Sequence, residues 1–387
     1  GIFIIMFSII SSGMVSVMTQ NIGAGRPGVA YQARQLGLLF NAVAGVLMAV
    51  FLFSGAGAIL RMVGIADALY EPALIYLKIV GGGCILNAVI PIFSSYLRAF
   101  GYTKQPLYAT IVGNIANFVM NAVFLFVLHK GVAGVAAATV ISKILNLCIV
   151  LYFSHKLISA KNSTERIANK TVLGQIVKVG LPSACETALY NVAMMLVIRF
   201  LNQMDAEGLN VTARSYTATI SNFSYCVGAA LAQANAIMTG WHIGAGELEE
   251  CDRGTKRAAF VGVCVAVCME TAIVLGSGFI MPLFTDNPEM TALVRKLLAI
   301  DIVLEIGRVT NLVFGQALKT SGDAVFPAVI AAVFMFVFAV GGTWLFGISM
   351  GLMAVGAYIG LASDECVRAV GMVWRWKTGK WRTKKLV

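Results

Sequence analysis

The sequence predicts an all-α polytopic membrane protein built as two six-helix lobes in parallel repeat, with the first helix missing. Three observations carry this reading. Of its 387 residues 59% are hydrophobic and only 12% charged, with a mean hydropathy of +0.83, whereas a soluble domain carries about a quarter charged residues. Apolar runs near the bilayer-spanning length of about twenty residues recur along the whole chain. The alternating segments of about ten residues that mark a membrane β-barrel are absent. Finally, Ile22-Gly23-Ala24-Gly25 returns letter for letter as Ile243-Gly244-Ala245-Gly246, at an offset of 221 (244 − 23).

Taken in order, the apolar runs place eleven spans at 1–20, 36–60, 72–97, 107–128, 132–153, 175–200, 212–240, 256–282, 292–318, 325–347 and 351–373. The chain opens as GIFIIMFSII, without an initiator Met or a charged leader region, and so reads as starting inside a span. The most polar connector, 154–173, separates an N-terminal lobe (1–153) from a C-terminal lobe (174–373). A basic, aromatic tail, WRWKTGKWRTKKLV at 374–387, follows. Its mixture of tryptophan and cations suits a cytoplasmic interface with anionic lipids.

Charge gives the orientation. The net charge of +11 sits between apolar runs, which argues against nucleic acid as a partner. With the tail inside, alternation puts Arg26, Arg34, Arg98, Lys104, Lys156, Lys161, Arg166, Lys170, Arg253, Lys256, Arg257 and Lys319 in cytoplasmic connectors. The opposite connectors are poor in Lys and Arg and hold Asp67, Glu71, Asp205, Glu207, Asp286 and Glu289. This is the positive-inside pattern, so both ends of the intact chain are expected in the cytoplasm and the protein in the plasma or inner membrane. The eight cysteines have no CxxC pairing and read as small buried hydrophobes. His129, His155 and His242 form no HExxH pattern, so neither a metal nor a hydrolase site is expected, and no cofactor.

The repeat extends well beyond IGAG. At the same offset Gly55 and Gly57 meet Gly276 and Gly278, Leu97-Arg98 meets Leu318-Lys319, Gly101 meets Gly322 and Pro106 meets Pro327. The offset contains six spans, an even number, so both lobes enter the membrane the same way round. Such a parallel repeat, about an axis along the membrane normal, is a plan of secondary transporters. The span at 175–200 has no partner in the first lobe, which predicts about fifty residues and one helix upstream of residue 1. A chain lacking that helix is expected not to transport.

Several ordered stretches carry a resemblance over essentially the whole length. TQNIGAGRPGVAYQARQ, LRAFGYTKQPLYATIVGNIANFVMNAVFLF and KGVAGVAAATVIS are similar to the first lobe of the multidrug and toxin extrusion (MATE) family. KVGLPSACETALYNVAMM and EIGRVTNLVFGQALKTSGDAVFP resemble the seventh helix and the tenth helix with its following loop. The resemblance implies a monomeric exporter of varied organic cations, an antiporter driven by Na+ or H+ through alternating access.

Ionisable groups inside spans are costly and therefore functional candidates. In the second lobe these are Glu186, Asp301, Glu305 and Arg308. Asp301 and Glu305 share a helix face at i, i+4, and Arg308 follows Glu305 at i+3, within pairing distance. Glu186 with Asp301 or Glu305 would make an anionic site for Na+, a proton or a cationic substrate; the other reading is an ion pair that only ties helices together. In the first lobe Asn114, Asn117 and Asn121 lie on the fifth helix of the family, Asn117 and Asn121 on one face. Many relatives carry an aspartate at the position of Asn121. The amide cannot titrate, although its oxygen could coordinate Na+. Thr139 could add a hydroxyl nearby. Tyr31, Tyr190, Tyr216 and Tyr225 could line a cavity for flat cations.

Two alternatives stay open here. A lipid-linked oligosaccharide flippase of the same superfamily would need a groove rich in intramembrane bases, and such bases are few, with Arg199, Arg308 and Lys143 as the candidates. A membrane-embedded enzyme would need a catalytic constellation that the sequence lacks. The expected partners are therefore a small organic cation and the lipid bilayer.

Overall fold

The computed structural model describes residues 2–158, 165–204 and 208–387. Lys161, Asp205 and Glu207 of the orientation argument lie outside the described residues. The described backbone is helical and contains no strand, and each of the eleven expected spans is a helix. The elements are α1 (Ile2–Gly23), α2 (Pro27–Val63), α3 (Asp67–Gly82), α4 (Cys84–Ala99), α5 (Lys104–Ala122), α6 (Gly131–Leu157), α7 (Asn169–Met204), α8 (Leu209–Ala245), α9 (Leu248–Ile280), α10 (Pro288–Ser321), α11 (Val325–Phe334) and α12 (Met353–Lys377). One span is shared by α3 and α4, interrupted at Gly83, the last of three consecutive glycines. Glycine gives the helix backbone least support at that point.

Seven helical segments among the described residues are long and apolar enough to cross a membrane. α8, α10 and α12 are not among them, because they carry the buried ionisable and amide side chains of the C-terminal half. Their polar faces are turned toward one another rather than toward lipid. Helix α9 shows the opposite surface: Phe260, Leu275 and Phe279 stand exposed, as side chains do when the solvent is hydrocarbon.

The repeat predicted from IGAG is present in the backbone. Helix starts recur at the offset of 221: Pro27 and Leu248, Asp67 and Pro288, Lys104 and Val325. So do the helix ends. Gly25 and Gly246 both take left-handed backbone angles (φ 74° and 81°), as do Gly101 and Gly322 (φ 86° and 98°). Each closes its helix with the same six-residue hydrogen bond: Arg26 N–H to Asn21 O at 2.8 Å, Glu247 N–H to His242 O at 2.8 Å, Tyr102 N–H to Leu97 O at 3.0 Å and Asp323 N–H to Leu318 O at 3.0 Å. This is the Schellman arrangement, in which an αL residue, usually Gly, stops the helix and satisfies its last carbonyls. IGAG is therefore a repeated helix stop. The π-helical turn Val123–Val127 after α5 also has its counterpart, within Thr343–Ser349 after α11.

The chain divides into two compact units, Ile2–Gly180 and Leu181–Val387, with the division inside α7. Within the first, Gln32 on α2 secures the segment that leads into α7. Its amide donates to Ile167 O (2.7 Å) and to Asn169 Oδ1, and its oxygen accepts from Ile167 N–H (3.3 Å). Arg34, nearly buried, lies over the rings of Tyr31, Tyr96 and Phe93 at 4.5, 5.2 and 5.4 Å. In the second unit α10 runs through the centre, with Leu297, Leu298, Val309, Val313 and Leu318 all fully buried. Its start is capped by Asn287, whose side chain accepts from Glu289 N–H at 2.9 Å.

The basic tail is tied to its own unit, while its lysines and Trp374 stay exposed. Trp376 and Trp381 stack face to face (centroids 4.1 Å apart, 9° between planes) and are buried. Trp376 Nε1 donates to Asp252 Oδ1 (2.7 Å), Arg375 forks onto Asp323 (2.7 and 3.2 Å), and Arg382 meets Glu249 (2.6 Å). The acids at the head of α9 and in the loop after α10 thus draw the tail back onto its own unit, and of its three tryptophans only Trp374 is exposed.

Helices α10 and α12 approach closely because Gly307 has no side chain. A Cβ there would lie 2.7 Å from Cys366 N and 2.8 Å from the Glu365 carbonyl carbon, while one at Gly246 would meet nothing within 4 Å. Gly307→Ala is therefore expected to force the two helices apart and destabilise the protein by about 1–3 kcal/mol. Gly246→Ala should cost about 1 kcal/mol through backbone strain alone, most of it recovered in Gly246→Asn. Thermal unfolding of the purified variants in detergent distinguishes packing from strain.

Candidate functional site

Three carboxylates meet inside the C-terminal unit. Glu270 from α9 and Asp301 and Glu305 from α10 are all buried, and one oxygen of each lies within 4.8 Å of the others. Asp301 and Glu305 meet because they are one helical turn apart on the same face of α10. Glu270 reaches them because it belongs to the buried stripe of α9, which runs Cys251, Thr255, Ala259, Gly262, Ala266 and Glu270. The small residues of that stripe bring α9 against α10.

Arg308 is the cation of the cluster. It forms an ion pair with Glu305 on its own helix, and its Nε lies 3.8 Å from Glu365 Oε1 on α12. Glu365 also accepts from Asn311 Nδ2 (3.0 Å) and pairs with Arg368 (2.8 Å), which forks onto Asp364 at 3.0 and 2.7 Å. The network leaves acceptors unused. Both oxygens of Glu270, Oδ2 of Asp301 and Oε2 of Glu305 are buried without a hydrogen-bond partner among the described residues. The hydroxyls of Ser224 and Ser221 stand beside Glu270 and Asp301.

A cavity of about 270 Å³ opens onto this cluster, lined by Tyr190, Arg214, Asn222, Tyr225, Asp301 and Tyr358 among others. Two of the tyrosines named from the sequence, Tyr190 and Tyr225, therefore face a cavity. Tyr216 instead packs its ring against Phe284 at 5.3 Å, and Tyr31 lies beneath Arg34.

The other sequence candidates fall elsewhere. Glu186 does not join Asp301 and Glu305; it pairs with Lys319 Nζ at 2.7 Å, near the C-terminal end of α10. In the N-terminal unit Asn121 Nδ2 donates to Asn117 Oδ1 (3.1 Å), and Asn117 Nδ2 donates to Ser142 Oγ (3.3 Å). The Asn121 oxygen is buried without a partner among the described residues. Thr139 spends its hydroxyl on Val135 O, one turn back on α6, and Asn114 is exposed. Lys143 Nζ donates to Asn87 Oδ1 at 2.7 Å. All eight cysteines are free.

Sequence reasoning missed Glu270, Asp364, Glu365 and Arg368. The signal was there, since all four lie inside predicted spans, where any ionisable group is a candidate. For Glu270 the α9 stripe of small residues also marks the inward face.

The family model described as MatE matches this chain twice, over residues 1–123 and 182–345. An uncharacterized transporter of Bacillus subtilis strain 168, YisQ, is 31% identical over 389 aligned residues, covering 99% of this chain and 85% of its own length. Among solved structures, a multidrug resistance MATE family transporter of the MOP superfamily in its outward-facing conformation superposes with a TM-score of 0.88 at 19% identity, over 98% of this chain and 86% of that one. A MATE protein in its straight conformation gives 0.87 at 20% identity, with the same coverage. A Vibrio cholerae MATE transporter, VcmN, in an aspartate-to-asparagine variant, gives 0.87 at 17% identity, over 98% and 87%. With a helical fold, a backbone repeat and family matches in both halves, the chain belongs to the MatE family and is a multi-pass membrane transporter.

Proposed function

We propose that this transporter is a secondary-active antiporter that exports organic cations in exchange for Na+ or H+ by alternating access. The observation that carries the reading is the buried trio Glu270, Asp301 and Glu305, with Arg308 as its one paired cation among the described residues. Three negative charges within 4.8 Å repel strongly where water is scarce. One guanidinium, itself shared with Glu365, does not neutralise them. The cluster is completed by taking up a proton or a cation, and hard carboxylate and hydroxyl oxygens suit Na+. A cationic substrate held against the same carboxylates would compete with that ion. Each binds one state better, and this difference is what couples two fluxes.

The cavity supports an aromatic substrate, since Tyr190 and Tyr225 line it beside the carboxylates. The flippase reading is not favoured. Arg308 and Arg368 are engaged by carboxylates, and one further arginine on the cavity wall, Arg214, does not make the base-rich groove that a lipid pyrophosphate would need. By the positive-inside rule, the same proposal places the protein in the plasma or inner membrane with the basic connectors in the cytoplasm.

In cells expressing the full-length protein, ethidium and norfloxacin accumulation should fall below that of the empty vector. Glu270→Gln, Asp301→Asn and Glu305→Gln should each restore it, whereas Glu186→Gln, outside the trio, should have the smaller effect. Wild-type accumulation equal to the vector over a broad compound panel would refute drug export. In proteoliposomes, an imposed inward Na+ gradient or an imposed inward H+ gradient should drive efflux, and failure of both would refute antiport.

The arginine can be tested separately. Arg308→Met leaves the carboxylates without a counter-charge and should destabilise the protein by about 3–5 kcal/mol. The double variant Glu305→Gln/Arg308→Met should recover a substantial part of that loss. Thermal unfolding in detergent completes the double-mutant cycle, and simple additivity would show that the pair is not coupled.

A further inference from the structure

Of the three arginines that bear on the cluster and its cavity, two are matched. Arg308 has Glu305 and Glu365, and Arg368 has Asp364 and Glu365. The third, Arg214 on α8, faces the same cavity with no carboxylate beside it among the described residues. Its Nη2 reaches the Met194 sulfur at 3.7 Å, and its Nε is buried with no hydrogen-bond partner there. A thioether is a weak acceptor, so the half-buried guanidinium lacks the strong partner that a bound anion would supply.

Arg214 is held in place by the helix that bears it. Arg214, Ala218, Ser221, Asn222 and Tyr225 form one stripe of α8 along the cavity wall, at the spacing of a single helical face. The cavity therefore holds one unused donor, Arg214 Nε, and an unused acceptor, Asp301 Oδ2, among the described residues. Tyr358, almost fully buried, lines the wall with them and lies within electrostatic range of both charges. A plain organic cation would use the acidic side of this cavity and leave the guanidinium unmatched.

We propose that Arg214 recognises an anionic group, a carboxylate or sulfonate, on the exported molecule, so that the cavity selects zwitterions over plain cations. The guanidinium fork matches a carboxylate bidentately, while the cationic end of the same molecule lies toward Asp301. This inference rests on the antiporter reading above, because it assumes that the cavity beside the trio binds substrate.

The test uses norfloxacin and its ethyl ester, which differ only in the acid group, binding to the purified full-length protein in nanodiscs. Wild type should bind norfloxacin more tightly than the ester. Arg214→Gln should weaken norfloxacin by about tenfold or more, the range of a hydrogen bond between charged groups, and leave the ester unchanged. Arg214→Lys, which keeps the charge but loses the fork, should fall between them. Thermal unfolding without ligand should be unaltered or improved in Arg214→Met, since an unmatched guanidinium is removed.

Equal loss for both compounds, loss for neither, or a marked drop in stability would overturn the assignment. Ester binding that survives every Arg214 variant and disappears in Asp301→Asn, with norfloxacin no tighter in wild type, would overturn this inference alone. Binding of neither compound by wild type would count against the substrate cavity itself and take both readings down together.

Discussion

The ion-pair network centred on Arg308 holds the C-terminal unit together and gives it chemistry. Gly307 lets α10 and α12 come close enough for Arg308 to reach Glu365. Asn311, one turn further along α10, reaches the same carboxylate. In hydrocarbon none of these groups can be left to water, so each partner fixes the rotation of its helix. Once α10 is fixed, Asp301 and Glu305 face α9 and α8, and the inward stripe of α9 delivers Glu270 to them. The feature that costs most to bury is thus the one that specifies the packing.

Duplication preserved the backbone and released the chemistry. The helix starts, the left-handed glycines and their closing hydrogen bonds recur at one offset in both units. The side chains at corresponding points do not match. Cys84, Asn87 and Lys143 stand at the offset of Glu305, Arg308 and Asp364, and Lys143 bonds Asn87 where Arg308 bonds carboxylates. The strongly acidic site belongs to one unit, and the other offers amides and an amine.

The tail shows what composition alone leaves out. Tryptophan mixed with lysine and arginine reads as an interface motif, and Trp374 does stay exposed. Asp252, Glu249 and Asp323 nevertheless supply specific partners for Trp376, Arg382 and Arg375. The stacked tryptophan pair is buried with both N–H groups satisfied, by Asp252 and by the Trp376 carbonyl.

The sequence by itself determined the helical membrane class, the eleven helical segments, the repeat and the family. These depend on apolar run length, on loop charge and on glycines that only a left-handed turn requires, all of which are local properties. It also determined that Asp301, Glu305 and Arg308 share a face, because i, i+3 and i, i+4 spacing is internal to one helix. Only the tertiary structure decided the rest: that Glu270 completes the trio, that Glu186 goes to Lys319 instead, that Arg214 has no carboxylate beside it among the described residues, and that the tail folds back. Those outcomes turn on which faces of separate helices meet. Helix rotation is set by the summed packing of small residues and ion pairs across the unit, and no single stretch of sequence records it.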